Sequence, residues 1–266
     1  MRHPRIAKSP PLVAVAHGSR DPRAAATVGN LLAVVRDRAV AQGLPGLCVR
    51  TAFLDHATPS LPQVLGSLAP EHDECVVVPL LLTAAYHTEK DIPRQIAKTR
   101  SAYPGLDVVL AGPLGPHRLL LRALDRRLAQ AWRGPRPETS VVLAAAGSAS
   151  PSANATNAAL ATELQETGGW RRVVTGYASA ASPSAAEAVT ALRAEGGPVV
   201  VATYLLAPGY FAGTVRDTSL AAGASAVSDP LGAAPEVADV IIRGYLAGTR
   251  VTSNAPADVT SIPPTG

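Results

Sequence analysis

Apolar residues in this chain come in continuous runs rather than in alternation. Segments 12–16, 76–82 and 199–206 are short stretches made mostly of valine, leucine and alanine. Each leads into a turn with Gly, Ser or Pro, and then into a helix-length segment with apolar positions three and four apart. Strands apolar on both faces are buried between helix layers, which predicts parallel βαβ units. The units repeat. Residues 12–22 (LVAVAHGSRDP) match 141–151 (VVLAAAGSASP), 49–60 match 173–184, 77–87 match 201–211, and Pro113-Leu114-Gly115 matches Pro230-Leu231-Gly232. Four strand-then-helix units therefore occur twice. The predicted fold is α/β: two similar three-layer α/β/α domains with mostly parallel sheets, related by internal duplication. They cover 1–135 and 136–250, joined near Gly134-Pro135-Arg136-Pro137. Residues 251–266 lack an apolar period and are expected to be a disordered tail.

Composition supports a globular chain: 266 residues, 47% hydrophobic and 17% charged. Pro, Gly or a charge cuts every apolar run well short of the roughly eighteen residues a membrane span needs. The basic N-terminal stretch leads into an apolar run too short for a signal peptide, so a cytoplasmic, membrane-free protein is expected. Cys48 and Cys75 lack CxxC spacing, which argues against a disulfide framework or a thiolate metal site.

Charge changes the picture more. The net +4 divides into an excess of basic residues through Arg136 and an excess of acidic ones beyond it, and all six histidines lie in the basic part. With only 4% aromatics and scattered basic residues, nucleic acid is not the expected partner; a small polyanion is.

Ligands of open parallel sheets bind at the carboxyl ends of the strands. His17 follows the first strand directly, and His87 follows the third by a few residues. The second copy acts as an internal control: His17 aligns with Ala146 and His87 with Phe211, while Gly18, Ser19 and Tyr86 persist as Gly147, Ser148 and Tyr210. A scaffold kept without its imidazoles points to a metal or acid/base role for them. Gly18 suits an unusual turn, and Ser19 or Asp21 before Pro22 suits a helix N-cap; the same turn offers backbone N–H groups to a substrate carboxylate. Asp55, aligned with Ser179, either shares the histidine site or is a solvated turn residue. His56 and His117 read as turn and helix-start residues, His3 and His72 as exposed ones.

The ordered set Ala16-His17-Gly18-Ser19-Arg20-Asp21, Phe53-Leu54-Asp55, the segment from Val77 through His87 with Asp91-Ile92-Pro93, and Pro113-Leu114-Gly115 resembles the class II chelatases of tetrapyrrole synthesis. The likeness is greatest to sirohydrochlorin ferrochelatases and their cobalt-inserting relatives. The resemblance implies insertion of a divalent metal into sirohydrochlorin, Fe²⁺ first with Co²⁺ or Ni²⁺ as alternatives, without ATP or an organic cofactor. It makes His17 and His87 the metal ligands. It places the family's acidic partner, usually Glu, on Asp55, one methylene shorter, and leaves the second half to complete the cleft. Neutral imidazole suits such borderline metals, and two-histidine ligation leaves the metal free to depart. Gly18, Ser19, Arg20 and Arg94 are then the expected substrate contacts. Lys8, Lys90 and Lys98 are the lysines and the other 21 basic residues are arginines, whose planar forks suit carboxylates. Because the duplication mimics a dimer of single domains, a monomer is expected. Two rivals remain at this stage. A histidine phosphatase would need an Arg before its nucleophile, where Ala16 stands, and a non-catalytic tetrapyrrole or metal carrier would use the same cleft.

Overall fold

A computed structural model describes residues 9–83 and 90–253, with side chains through 250. The first half runs β1 (Leu12–Ala16), α1 (Pro22–Ala41), β2 (Val49–Phe53), α2 (Leu61–Leu68), β3 (Glu74–Pro79), α3 (Ile92–Ala102), β4 (Asp107–Leu110) and α4 (Arg118–Ala131). After a short 3₁₀ turn the order repeats: β5 (Ser140–Ala145), α5 (Pro151–Gly168), β6 (Arg172–Tyr177), α6 (Ala185–Ala194), β7 (Val199–Tyr204), α7 (Tyr210–Ala221), β8 (Ala226–Val227) and α8 (Pro235–Ser253). The strands form two parallel four-stranded sheets, ordered β2-β1-β3-β4 and β6-β5-β7-β8. The predicted duplicated α/β architecture is therefore present, down to matching registers: Leu12 pairs with Val49 and Val76, as Val141 pairs with Val173 and Val200.

Period-two geometry divides each buried strand between two layers. Val13, Val15, Cys75 and Val77 face α2 and α3 on the outer side of the first sheet, and Val142, Ala144, Val199 and Val201 face α6 and α7 on that of the second. The alternate residues, Leu12, Ala14, Val76 and Val78 with Val141, Leu143, Val200 and Ala202, enter one core shared by both sheets. Burial pushes the Cys75 thiol pKa up to about 12.

That shared core depends on a helix exchange. Helix α8 lies on the first sheet, where Gly244 approaches Val78 and Ala111 and Gly248 approaches Val76 and Val109. The Tyr245 hydroxyl donates to the Pro10 carbonyl at 2.9 Å. Helix α4 in turn lies on β7 and α5 of the second half, and the Arg127 guanidinium donates to the Leu231 carbonyl. Val237, Ile241 and Tyr245, one turn apart on α8, are at most 1% exposed. Each such burial contributes about 1.5–3 kcal/mol for an aliphatic side chain. Ion pairs Arg38–Asp239 and Arg126–Glu236 tie α8 to α1 and α4. The two sheets follow the two halves of the chain, but the last helix of each half completes the other half's inner layer. Helix α8 continues through Ser253, three residues into the stretch expected to be tail, and residues 254–266 lie outside the described residues.

Candidate active site

The carboxyl ends of β1 and β2 stay joined beyond the strands. Leu54 N–H donates to the Ala16 carbonyl at 3.0 Å, and Asp55 N–H donates to the His17 carbonyl at 2.9 Å. This brings the backbone of Asp55 against that of Gly18. Gly18 has φ +96°, and a β-carbon there would stand 1.7 Å from the Asp55 carbonyl oxygen, so the position admits only glycine. The choice between the two cap candidates resolves to Asp21. Its Oδ1 accepts from Arg23 N–H at 2.9 Å with Pro22 in the first turn, while Ser19 Oγ accepts from Asp21 N–H at 3.1 Å. The Arg23 guanidinium also folds back onto the Asp21 carboxylate and holds its pKa below the usual range.

Of the other predicted site residues, His17 and Arg20 are exposed on the β1–α1 turn, and Arg94 is exposed in the first turn of α3. His87 lies outside the described residues. Asp55 is exposed and turned toward its neighbour: Oδ1 accepts from His56 N–H at 2.7 Å, and Oδ2 stands 3.4 Å from His56 Nε2. His56 itself has φ +57°. Among the described residues, no three His, Cys, Asp or Glu side chains are grouped closely enough to hold a metal ion. His117 caps α4, its Nδ1 accepting from Leu119 N–H at 3.0 Å.

The second half presents the same backbone. Gly147 has φ +85° and a β-carbon there would meet the Ser179 carbonyl oxygen at 1.9 Å; Ser179 N–H donates to the Ala146 carbonyl at 3.0 Å; Ala180 has φ +55°. The two halves also meet. A β-carbon on Gly209, just before α7, would stand 3.3 Å from Ser19 Oγ, so the first-half turn faces the start of the second half's α7. Beside this contact is a cavity of about 260 Å³ lined by Arg23, Thr203, Gly209, Gly213, Arg216 and Asp229 among others. Tyr210 and Phe211 open α7 with ring centroids 5.8 Å apart, and Tyr210 is 81% exposed. Below, the buried Tyr204 hydroxyl reaches the Leu82 carbonyl at 3.4 Å, and burial raises its pKa well above the usual tyrosine value. Arg216, which lines this cavity, aligns with Ile92 in the first copy, so the repeat gave no cue to its place there.

Two parallel α/β halves built on one repeat meet at their strand-end turns, and imidazole and carboxylate stand on only one of those turns. The chain belongs to the CbiX family, whose model matches residues 11–131 and again 140–246. It is 28% identical over 205 residues to the sirohydrochlorin cobaltochelatase of Priestia megaterium, covering 73% of this chain and 63% of that protein. It is 29% identical over 167 residues to the sirohydrochlorin ferrochelatase of the same organism, covering 62% of this chain and 63% of that one. The matches thus span less than two thirds of the length of these relatives. Among solved structures, SirB from Bacillus subtilis with Fe³⁺ superposes with a TM-score of 0.78 at 21% identity over 92% of this chain and 98% of that one, a likeness of fold.

Proposed function

We propose that this protein inserts a divalent metal, foremost Fe²⁺ with Co²⁺ or Ni²⁺ as alternatives, into sirohydrochlorin. The observation that carries this reading is the pair of strand-end turns with one backbone, of which the first alone bears His17, Asp55 and His56 where the second bears Ala146, Ser179 and Ala180. Relatives named for cobalt and for iron insertion support it and leave the choice of metal open.

In this reading His17 and His87 hold the incoming metal through neutral imidazole nitrogen. As metal–nitrogen bonds form in the macrocycle, two pyrrole N–H protons leave. An imidazole or the Asp55 carboxylate accepts them, which keeps the product from being reprotonated. Gly18 and Ser19 shape the turn, while Arg20 and Arg94, with their guanidinium forks in solvent, meet the substrate's carboxylates. The second half completes the cleft from across the turn, so one chain suffices as a monomer.

Purified protein assayed anaerobically with sirohydrochlorin and Fe²⁺, Co²⁺ or Ni²⁺ in turn tests this. Metallation well above the uncatalysed rate is the expected result. Tight binding of sirohydrochlorin with no rate increase would make the protein a carrier instead.

A further inference from the structure

We propose that Tyr210 and Phe211, the first two residues of α7, form an aromatic platform for the flat conjugated ring of sirohydrochlorin, so that the second half grips the substrate's face while the first half holds the metal. This rests on the reading above that sirohydrochlorin is the substrate. The two side-chain rings are 5.8 Å apart between centroids, within the range of attractive aromatic pairs, and are tilted by 58°. With that tilt only one of them can lie face to face on a flat macrocycle. Tyr210, 81% exposed, is that ring, and Phe211, 42% exposed, supports it from the side. Adjacent large aromatic side chains left in water mark a surface that a ligand or partner covers. Val40 and Tyr103, also exposed, stand singly on other elements.

Position selects the occupant. Side chains in the first turn of a helix lean toward its N-terminus, and the N-terminus of α7 lies against the turn that carries His17. A β-carbon on Gly209 would stand 3.3 Å from the hydroxyl of Ser19, two residues from His17. The aromatic pair therefore stands on the rim of the crevice where the two halves meet, beside the cavity of about 260 Å³. The repeat accounts for the residue types. Residues 201–211 match 77–87, so Phe211 takes the place of His87 and Tyr210 that of Tyr86. The second copy keeps a ring at the histidine's position and discards the nitrogens that could bind metal. A ring without a metal donor suits a conjugated macrocycle, whose carboxylates project from its edge and leave its faces apolar. Arg20 and Arg94 of the first half then meet that edge, and the platform meets the face.

The test titrates metal-free sirohydrochlorin into the full chain under anaerobic conditions and follows binding by the change in its visible absorption. Tyr210→Ala should raise Kd about 10-fold, the loss of one aromatic stack and the area it covers. Tyr210→Leu keeps apolar area without a ring face and should be weakened nearly as much, whereas Tyr210→Phe should bind as the wild type does. Because the side chain is exposed, the thermal melts of all three variants should match the wild type. In the metallation assay Tyr210→Ala should raise KM with kcat nearly unchanged, since the stack is made in the ground and transition states alike. The platform is overturned, with the proposed reaction left standing, if Tyr210→Ala binds as tightly as the wild type or if Tyr210→Phe loses as much as Tyr210→Ala. A wild-type chain that binds no sirohydrochlorin refutes the reaction and the platform together. Binding that depends on Tyr210 in a chain that metallates nothing refutes the reaction alone.

Discussion

The β1–α1 turn and the β5–α5 turn are two copies of one backbone, and they differ in how that backbone is finished. In both, a glycine with positive φ packs on the carbonyl of the residue two past the next strand, and a serine hydroxyl accepts from the N–H two residues on. In the second turn, Asn154 closes the loop from within α5: Ser148 N–H donates to its Oδ1 at 3.1 Å, and its amide donates to the Ser148 carbonyl at 2.7 Å. The first copy has Ala25 at that position, which cannot make these two hydrogen bonds. One turn is closed by an asparagine of its own helix, whereas the other carries His17. Under the proposed function, duplication separates what the fold needs, which both copies keep, from the side chains assigned to the chemistry, which one copy carries.

The strongest way to break this comparison is to attack the shared part. Gly18→Ala and Gly147→Ala should each destabilise the protein by more than about 2 kcal/mol, because a left-handed residue with a β-carbon costs about 1–2 kcal/mol even before the carbonyl contact. Denaturant unfolding should show the two losses to be comparable; a harmless Gly147→Ala would mean that the second turn is not under the same constraint. Next comes Asp55→Ser, which gives the first turn the residue of the second. Metallation should fall about 10- to 100-fold with the melting temperature little changed, since Asp55 is exposed and Ser179 is accommodated in the same backbone.

Asn154→Ala opens the sealed turn. It should cost about 1 kcal/mol of stability and leave metallation at the wild-type rate, measured by chemical unfolding and by the anaerobic assay. The smallest effect concerns the exchanged helix α4. Burial, and then the nearby Arg243, lower the pKa of His117 from its ordinary 6.5, and its cap on Leu119 N–H requires the neutral ring. The unfolded chain takes up this proton near pH 6.5 while the folded chain resists it, so stability contributed here is present above that pH. It is lost as pH falls from there toward the folded pKa. His117→Asn keeps a capping side chain and should flatten that part of the stability–pH curve.

The strands, the duplication and the strand-end placement of His17 and Asp55 were legible because buried parallel strands write continuous β-branched runs and the two copies can be laid over each other. The helix exchange was not. Helices α4 and α8 show an apolar face whichever sheet that face covers, and the choice depends on how the halves dock, as the close approach of Gly248 to Val76 illustrates. His56 read as a turn residue because its pairing with Asp55 follows from a left-handed backbone that local residue preferences do not specify. Arg216 reaches the crevice through helical spacing from Gly209 and Gly213, a relation that matters only once α7 faces the first half.

The central claim, that the chemistry resides in side chains the first turn carries and the second lacks, is tested most directly by His17→Ala in the anaerobic metallation assay, with a thermal melt of the same sample. Wild-type protein should metallate sirohydrochlorin, and His17→Ala should lose about 10²- to 10⁴-fold in rate, the range of a positioned acid–base or ligand group, at a nearly unchanged melting temperature. Ala146 already shows that this backbone accepts the smaller residue. Equal rates for the two proteins, or a loss of rate that tracks a loss of folding, would contradict the account.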